Sequence, residues 1–400
     1  MTESSEAQIA RIRERFASSR SVPVSAVRVV VSPYRVCPIG AHIDHQGGPV
    51  LAMAVGAYTL LPFHVLDSPE VRLTSENYPG VVRFDLSRAG EAGEDDWGRY
   101  ARGAAFALSD LLAAEPPRGI DGHVVGSLPG VGLSSSASVI LAYLRALSAA
   151  NGLALDSRDL ALRALRAERD FVGVRVGVLD PAAIVAARKR HLAAIDSREC
   201  RWELVPFGEG APEYRILIAY SGVTRNLSST DFNRRVEECF SAARKLGEAA
   251  GREGTRALDD LPDAVLDEHG GRLSPTEALR ARHFFGERAR VRRALRHWRA
   301  GELEEFGAIM NESCRSSIEN WECGSKELIE IQDILVRTGH VFGSRFSGGG
   351  WGGCCVALVA ANEAEDVRSR VERAMREKVP GLRDRAGVFL LEEEDGIRIS

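Results

Sequence analysis

Apolar residues along the chain follow two distinct patterns. Val27–Val31 is a β-branched apolar run of the kind a buried strand makes, and Val50–Leu61 resumes it after the turn-rich stretch PIGAHIDHQGGP. Trp97–Leu112 and Ala137–Ala150 space their apolar residues at helical intervals with few breakers. Asp156–Phe171 does the same, with Asp156 or Ser157 placed to cap it. The opening residues, MTESSEAQIARIRERF, read as a polar helix. The texture changes around Arg201–Gly208, and Tyr214–Tyr220 begins a fresh strand. Long amphipathic helices follow, interrupted by GREG, HGGR and RTGH; then come strand-like VFGSRFSGG, a glycine loop and the apolar run CCVALVA. Strands and helices mixed in both halves predict an α/β (α+β) architecture of two domains, 1–205 and 206–400, with a site in the cleft between them.

Composition narrows the function classes. Four hundred residues exceed one compact core. An apolar fraction of 44% with 27% charged residues is ordinary for a soluble globular chain. A formal charge of −4 offers no whole-protein field for nucleic acid or an acidic membrane, so neither is expected as a partner. The arginine-rich stretch Leu279–Arg299 reads as a solvated helix balanced by neighbouring acidic residues. The sequence has no 18-residue apolar run to span a bilayer and no apolar signal core at its start. Seven scattered cysteines without a C-x-x-C pair fit buried, reduced thiols in a cytoplasmic protein.

The run PGVGLSSSASVILAYLRAL, beginning at Pro129, goes from glycine turns straight into an apolar helix. Gly130 and Gly132 permit a close backbone approach that side chains would block. Ser134, Ser135 and Ser136 stand at the helix entrance, where unpaired N–H groups and the helix dipole favour phosphate. Their hydroxyls add neutral donors and an oxygen ligand for Mg²⁺, a hard cation. Taken alone, the same run also suits a plain serine-rich helix cap. It is not a Walker loop, because no Gly-Lys-Ser/Thr follows the glycines.

The loop resembles the second motif of the GHMP kinases, the group of galactokinase, homoserine, mevalonate and phosphomevalonate kinases. Three further segments carry the resemblance. Ser32–Val55, SPYRVCPIGAHIDHQGGPVLAMAV, looks like the galactokinase signature, and Gly343–Cys354, GSRFSGGGWGGC, resembles the third, C-terminal motif. Ala167–Asp180, AERDFVGVRVGVLD, keeps the galactokinase spacing of A-E, F, G, then G and D. With ARHFFGE and EEFGAIMNES between them, the motifs lie in order over most of the chain.

The resemblance implies the two-domain GHMP kinase fold, ATP and Mg²⁺, and a set of site residues. Asp180 matches the aspartate that faces the anomeric hydroxyl, where a carboxylate can take the acceptor's proton for in-line attack on the γ-phosphorus. Arg35 matches the signature arginine, which would keep Asp180 ionised and stabilise charge on the transferred group. Glu168 and Ser136 match the Mg²⁺ ligands. Leu133, Gly348 and Gly349 join the glycine–serine loop as nucleotide contacts. Trp97 matches an aromatic that stacks near adenine, although a tryptophan at a helix start is otherwise simply core. Tyr34, Ala41, His42, Asp44 and Phe232 fall at sugar-binding positions.

Departures from galactokinase bear on the sugar. Galactokinases carry G-R-x-N-L-I-G-E-H-T-D-Y where this chain has YRVCPIGAHIDH, so Ala41 replaces the glutamate facing the C6 hydroxyl. A glutamate would repel a C6 carboxylate by about 4 kcal/mol at about 4 Å and an effective dielectric near 20. Arg175, five residues before Asp180, could grip such a carboxylate or be a loop charge in solvent. Phe232 stands where galactokinases have a tyrosine near C4. The alanine, the arginine and SSIENWECG resemble plant galacturonokinases, which implies D-galacturonate as acceptor at C1. The alternatives are a galactokinase or other aldose 1-kinase, or a non-catalytic sugar-sensing relative.

Overall fold

The computed structural model describes residues 5–88, 97–112, 116–128, 130–223, 231–379, 382 and 386–400; Pro129, at the head of the glycine–serine run, lies outside them. Helix α1 (Ser5–Arg20) precedes strands β1 (Arg28–Ile39), β2 (Val50–Val65), β3 (Glu70–Ser75) and β4 (Val81–Asp85). Helix α2 (Arg99–Leu112), β5 (Ile120–Gly126), α3 (Ser135–Ala150), α4 (Ser157–Arg166) and α5 (Leu179–Ala186) follow, then β6 (His191–Asp196) and β7 (Arg201–Pro206). The second half runs β8 (Tyr214–Tyr220), α6 (Phe232–Ala249), α7 (Val265–His269), α8 (Pro275–Ala300), α9 (Leu303–Glu319), α10 (Lys326–Arg337), β9 (Val341–Phe346) and β10 (Cys354–Ala360). It ends with α11 (Ala364–Lys378), β11 (Gly387–Leu391), β12 (Glu393–Glu394) and β13 (Arg398–Ile399).

Two sheets result. The first has the order β13-β1-β2-β5-β3-β4, with β6 and β12 also pairing β2 and β7 pairing β6; the second is β11-β8-β10-β9. Among the described residues pairing is antiparallel except for β3 against β5. The continuous apolar run of β1 has a direct cause. Val29 and Val31 pack towards Ile9 of α1, while Val30 packs with Leu141 and Leu144 of α3, so both faces are covered.

The two halves share a core. Val36, Leu51, Met53 and Val55 of the first sheet pack with Ile216, Ile218, Val356 and Leu358 of the second. The chain's end strengthens this union, because β12 returns to pair β2 and β13 pairs β1. Strands β12 and β13, from the 206–400 half, therefore join the first sheet. Asp156 caps α4 by accepting from the Asp159 N–H at 2.7 Å. The helix expected to run on to Phe171 instead widens into a π-helical turn, Ala167–Val172, stopped by left-handed Gly173. All seven cysteines are free and buried. Among the described residues no helix is long and apolar enough to cross a membrane.

Candidate active site

A cavity of about 820 Å³ is lined from both halves of the chain. β1 supplies Tyr34, Arg35 and Cys37, and the turn after it supplies Ala41, His42 and Asp44. The glycine–serine loop, the π-helical turn, the start of α5 and the glycine loop between β9 and β10 also contribute to the wall.

At its centre Arg35 Nε donates to Asp180 Oδ1 at 2.7 Å. Burial lowers the Arg35 pKa, but the Asp180 charge and hydrogen bond, with smaller contributions from Cys37 and Cys354, together outweigh it and leave the group raised. The other Asp180 oxygen accepts from the Ser134 hydroxyl. Ser134 stands at the head of α3 with φ 58°, a left-handed backbone that serine rarely adopts, and its side chain makes no helix-cap bond. The strain turns the hydroxyl onto Asp180, and strained positions of this kind cluster at functional sites. The site also explains two glycines. At Gly348, with φ +73°, a Cβ would sit 3.0 Å from the Gly132 carbonyl, and at Gly132 one would meet Gly353 Cα at 3.2 Å. The two glycine loops are thus packed backbone against backbone, and Ser347 Oγ joins them by donating to Gly132 O at 3.0 Å and accepting from Arg35 at 3.4 Å.

Glu168 is held in the π-helical turn, buried, with Oε2 unpartnered among the described residues. Burial, then the nearby Asp180 charge, pushes it up to about 8; the Ser136 hydroxyl bond opposes this. Among the described residues no three His, Cys, Asp or Glu side chains form a metal cage. One orphaned carboxylate oxygen beside a serine hydroxyl does fit Mg²⁺, which takes few protein ligands and completes its shell with phosphate oxygens and water.

The residues expected at the sugar end are held by contacts from other segments. His42, with left-handed φ of 64°, bonds the Gly348 carbonyl through Nε2 at 3.1 Å and stacks on Trp321, with centroids 5.0 Å apart. Asp44 Oδ2 accepts from the Leu179 N–H at 3.0 Å, and burial holds its carboxyl above the usual range. Phe232 meets His42 edge-on at 6.5 Å. The Tyr34 hydroxyl, beside Thr59 and the Leu128 backbone, is pushed up to about 12 by burial.

Trp97, Gly130, Ser135, Ser136 and Gly349 also line the cavity. Two expected residues do not. The Leu133 side chain is in the core, and only its carbonyl serves the site, accepting from Arg35 N–H at 3.2 Å. Arg175 is exposed and donates to Glu237 at 3.1 Å, away from the wall, so it is the loop charge and not the cavity's cation. Two residues were missed. Ser347 bridges the glycine loops, and Tyr78, from the turn after β3, lies nearly parallel to Trp97, 6.4 Å between centroids and 17° between planes. An exposed aromatic inside a polar turn, SENYPG, is the signal that could have found Tyr78.

The same segments match family models: the GHMP kinase N-terminal domain over residues 99–188, the GHMP kinase C-terminal domain over 291–378 and the galactokinase galactose-binding signature over 14–62. A galacturonokinase of Arabidopsis thaliana is 38% identical, with 98% of each chain covered. A galactokinase of Bos taurus is 34% identical over 96% of this chain and 94% of its own. The crystal structure of Lactococcus lactis galactokinase complexed with galactose superposes with a TM-score of 0.89 at 27% identity, covering 98% of this chain and 99% of that one. The chain belongs to the GHMP kinases. Within them it is of the galactokinase-like kind, a sugar 1-kinase supplied by ATP.

Proposed function

We propose that the protein phosphorylates D-galacturonate at the anomeric C1 hydroxyl, giving galacturonate 1-phosphate and ADP. Asp180 takes the proton of the C1 hydroxyl and aligns its oxygen with the γ-phosphorus of ATP. Arg35 at 2.7 Å and the Ser134 hydroxyl hold and orient that carboxylate. The Arg35 guanidinium, pinned by Ser347, also stands ready for charge developing on the transferred group. Glu168 and Ser136 would hold Mg²⁺, which when bound neutralises phosphate charge. Gly130, Gly132, Ser135, Gly348 and Gly349 give the phosphates a backbone-rich cradle, with Trp97 and Tyr78 beside the base. His42, Asp44 and Phe232 shape the sugar end.

The observation that carries the choice of sugar is Ala41 on the cavity wall, where galactokinases have a glutamate for the C6 hydroxyl. The 38% identity to a galacturonokinase supports the same reading. A coupled ADP-release assay with galacturonate, glucuronate, galactose and arabinose tests it. Galacturonate is expected to give the highest kcat/KM; clear preference for galactose sinks the uronate reading and leaves an aldose 1-kinase.

A further inference from the structure

Among the described residues two arginines line the cavity, Arg35 and Arg99, and only Arg35 belongs to the Asp180 centre. Arg35 is committed there, donating to Asp180 and to Ser347. His42 adds no charge, because burial, with His283 next, holds its imidazole well below the ordinary value. The lining carboxylates are Asp44, Glu168 and Asp180. A nucleotide polyphosphate adds several more negative charges to that set. A second guanidinium on the wall therefore has an electrostatic task whichever sugar is bound.

Arg99 opens α2, and the segments around it fix its place. At Gly98 a Cβ would meet Val82 Cγ1 at 2.4 Å, so the glycine lets the start of α2 close onto β4. Arg99 Nη2 donates to the Val172 carbonyl at 3.0 Å. Val172 ends the π-helical turn that carries Glu168, so this bond directs the guanidinium from α2 towards the metal end of the cavity. The neighbours of Arg99 in sequence mark the other end. Trp97 lies beside Tyr78 in the aromatic pair. Tyr100 lines the same wall; burial, then the Glu168 charge, raises its hydroxyl, Arg99 opposes the rise and Tyr78 adds to it. Arg99 thus stands between the aromatic pair and Glu168, where the phosphates of a nucleotide have to pass.

We infer that Arg99 is an ATP-binding residue that pairs with the diphosphate leaving as ADP, while Arg35 serves the acceptor and the transferred group. The planar fork of a guanidinium suits the paired oxygens of a phosphate. The inference rests on the reading that places the base at Trp97 and Tyr78 and the metal at Glu168.

The test measures ADP and adenosine binding by calorimetry in chelator, so that Mg²⁺ does not enter, in the wild type and in Arg99→Gln, Arg99→Met and Arg99→Lys. The ratio of ADP to adenosine affinity is expected to fall about tenfold in Arg99→Gln and Arg99→Met, and no more than about threefold in Arg99→Lys, which keeps the charge. A purely structural role, holding the Val172 carbonyl, would lower Tm and leave the ratio unmoved, and an unmoved ratio overturns the inference. A loss in Arg99→Lys as large as that in Arg99→Gln refutes pairing by charge. If Arg99→Gln does not fold, Arg99→Met decides by the same criterion. Tyr78→Ala is read alongside. Adenosine affinity that does not fall in that variant sinks the placement of the base, whereas a fall there with unmoved ratios in the Arg99 variants sinks this inference alone.

Discussion

Glu168 gives the sharpest quantitative expectation, because its proposed function and its environment oppose each other. It is buried with one oxygen unpartnered and titrates near 8 against an ordinary 4.5. Below pH 4.5 the folded and unfolded chains both hold the proton, and nothing is lost. Between pH 4.5 and about 8 the unfolded chain ionises while the folded one keeps its proton, so stability falls as pH rises. Above about pH 8 the loss is complete, on the order of 4 kcal/mol for the metal-free protein. Glu168→Gln removes that titration with little change of shape. In chelator, without nucleotide, the variant is expected to match the wild type near pH 5 and to exceed it by pH 8.5. The gain would be on the order of 4 kcal/mol by denaturant titration, or about 5 °C in Tm for a chain of this size. Turnover is expected to collapse in the same variant, since an amide is a poor Mg²⁺ ligand. Equal stability at both pH values would refute the buried-carboxylate argument. A normal kcat at ordinary Mg²⁺ would remove Glu168 from the metal site.

Asp180→Asn is expected to lower kcat about a thousandfold while the ATP dissociation constant, read by calorimetry, moves less than about threefold; near wild-type turnover would exclude Asp180 as the base. If Ala41 faces C6 as proposed, Ala41→Glu is expected to shift the galacturonate-to-galactose ratio of kcat/KM on the order of a hundredfold towards galactose, with an unmoved ratio placing C6 elsewhere. Tyr78→Ala is expected to raise the KM for ATP about fivefold and leave that of the sugar unchanged; a change in the sugar KM alone would take Tyr78 out of the base site.

The parts of the fold that could be read from sequence were those set by local pattern. Val29–Val31 and CCVALVA are apolar without alternation, and both lie in strands buried on two faces. The backbone at Glu168 was not readable, because widening Ala167–Val172 into a π turn is decided by what packs around it. The same holds for Ser134. Its type suggested a helix cap, but its left-handed backbone turns the hydroxyl onto a carboxylate 46 residues away in the chain. Arg175 failed for the complementary reason. Proximity in sequence to Asp180 said nothing about direction, and Glu237, exposed on α6, was the nearer anion.

Much of the site's rigidity is tertiary. The loop from Gly40 to Asp44 belongs to the first sheet, yet Glu287, His283 and the Gly348 carbonyl, which hold Gly40, Ala41 and His42, all come from the second half. Met53 and Val356 share one core cluster across the same boundary, and β12 and β13 bring the chain's end back to the first sheet. Tyr58 of that sheet bonds Glu394, and Tyr214 of the second half bonds Glu393. A junction packed and hydrogen-bonded on this scale resists opening as a free hinge. Substrate access is therefore left to the loops around the cavity, and the geometry of Arg35, Asp180 and Ser134 is set before either substrate arrives. That is the condition under which a preorganised charge pair stabilises a transferring phosphoryl group most effectively.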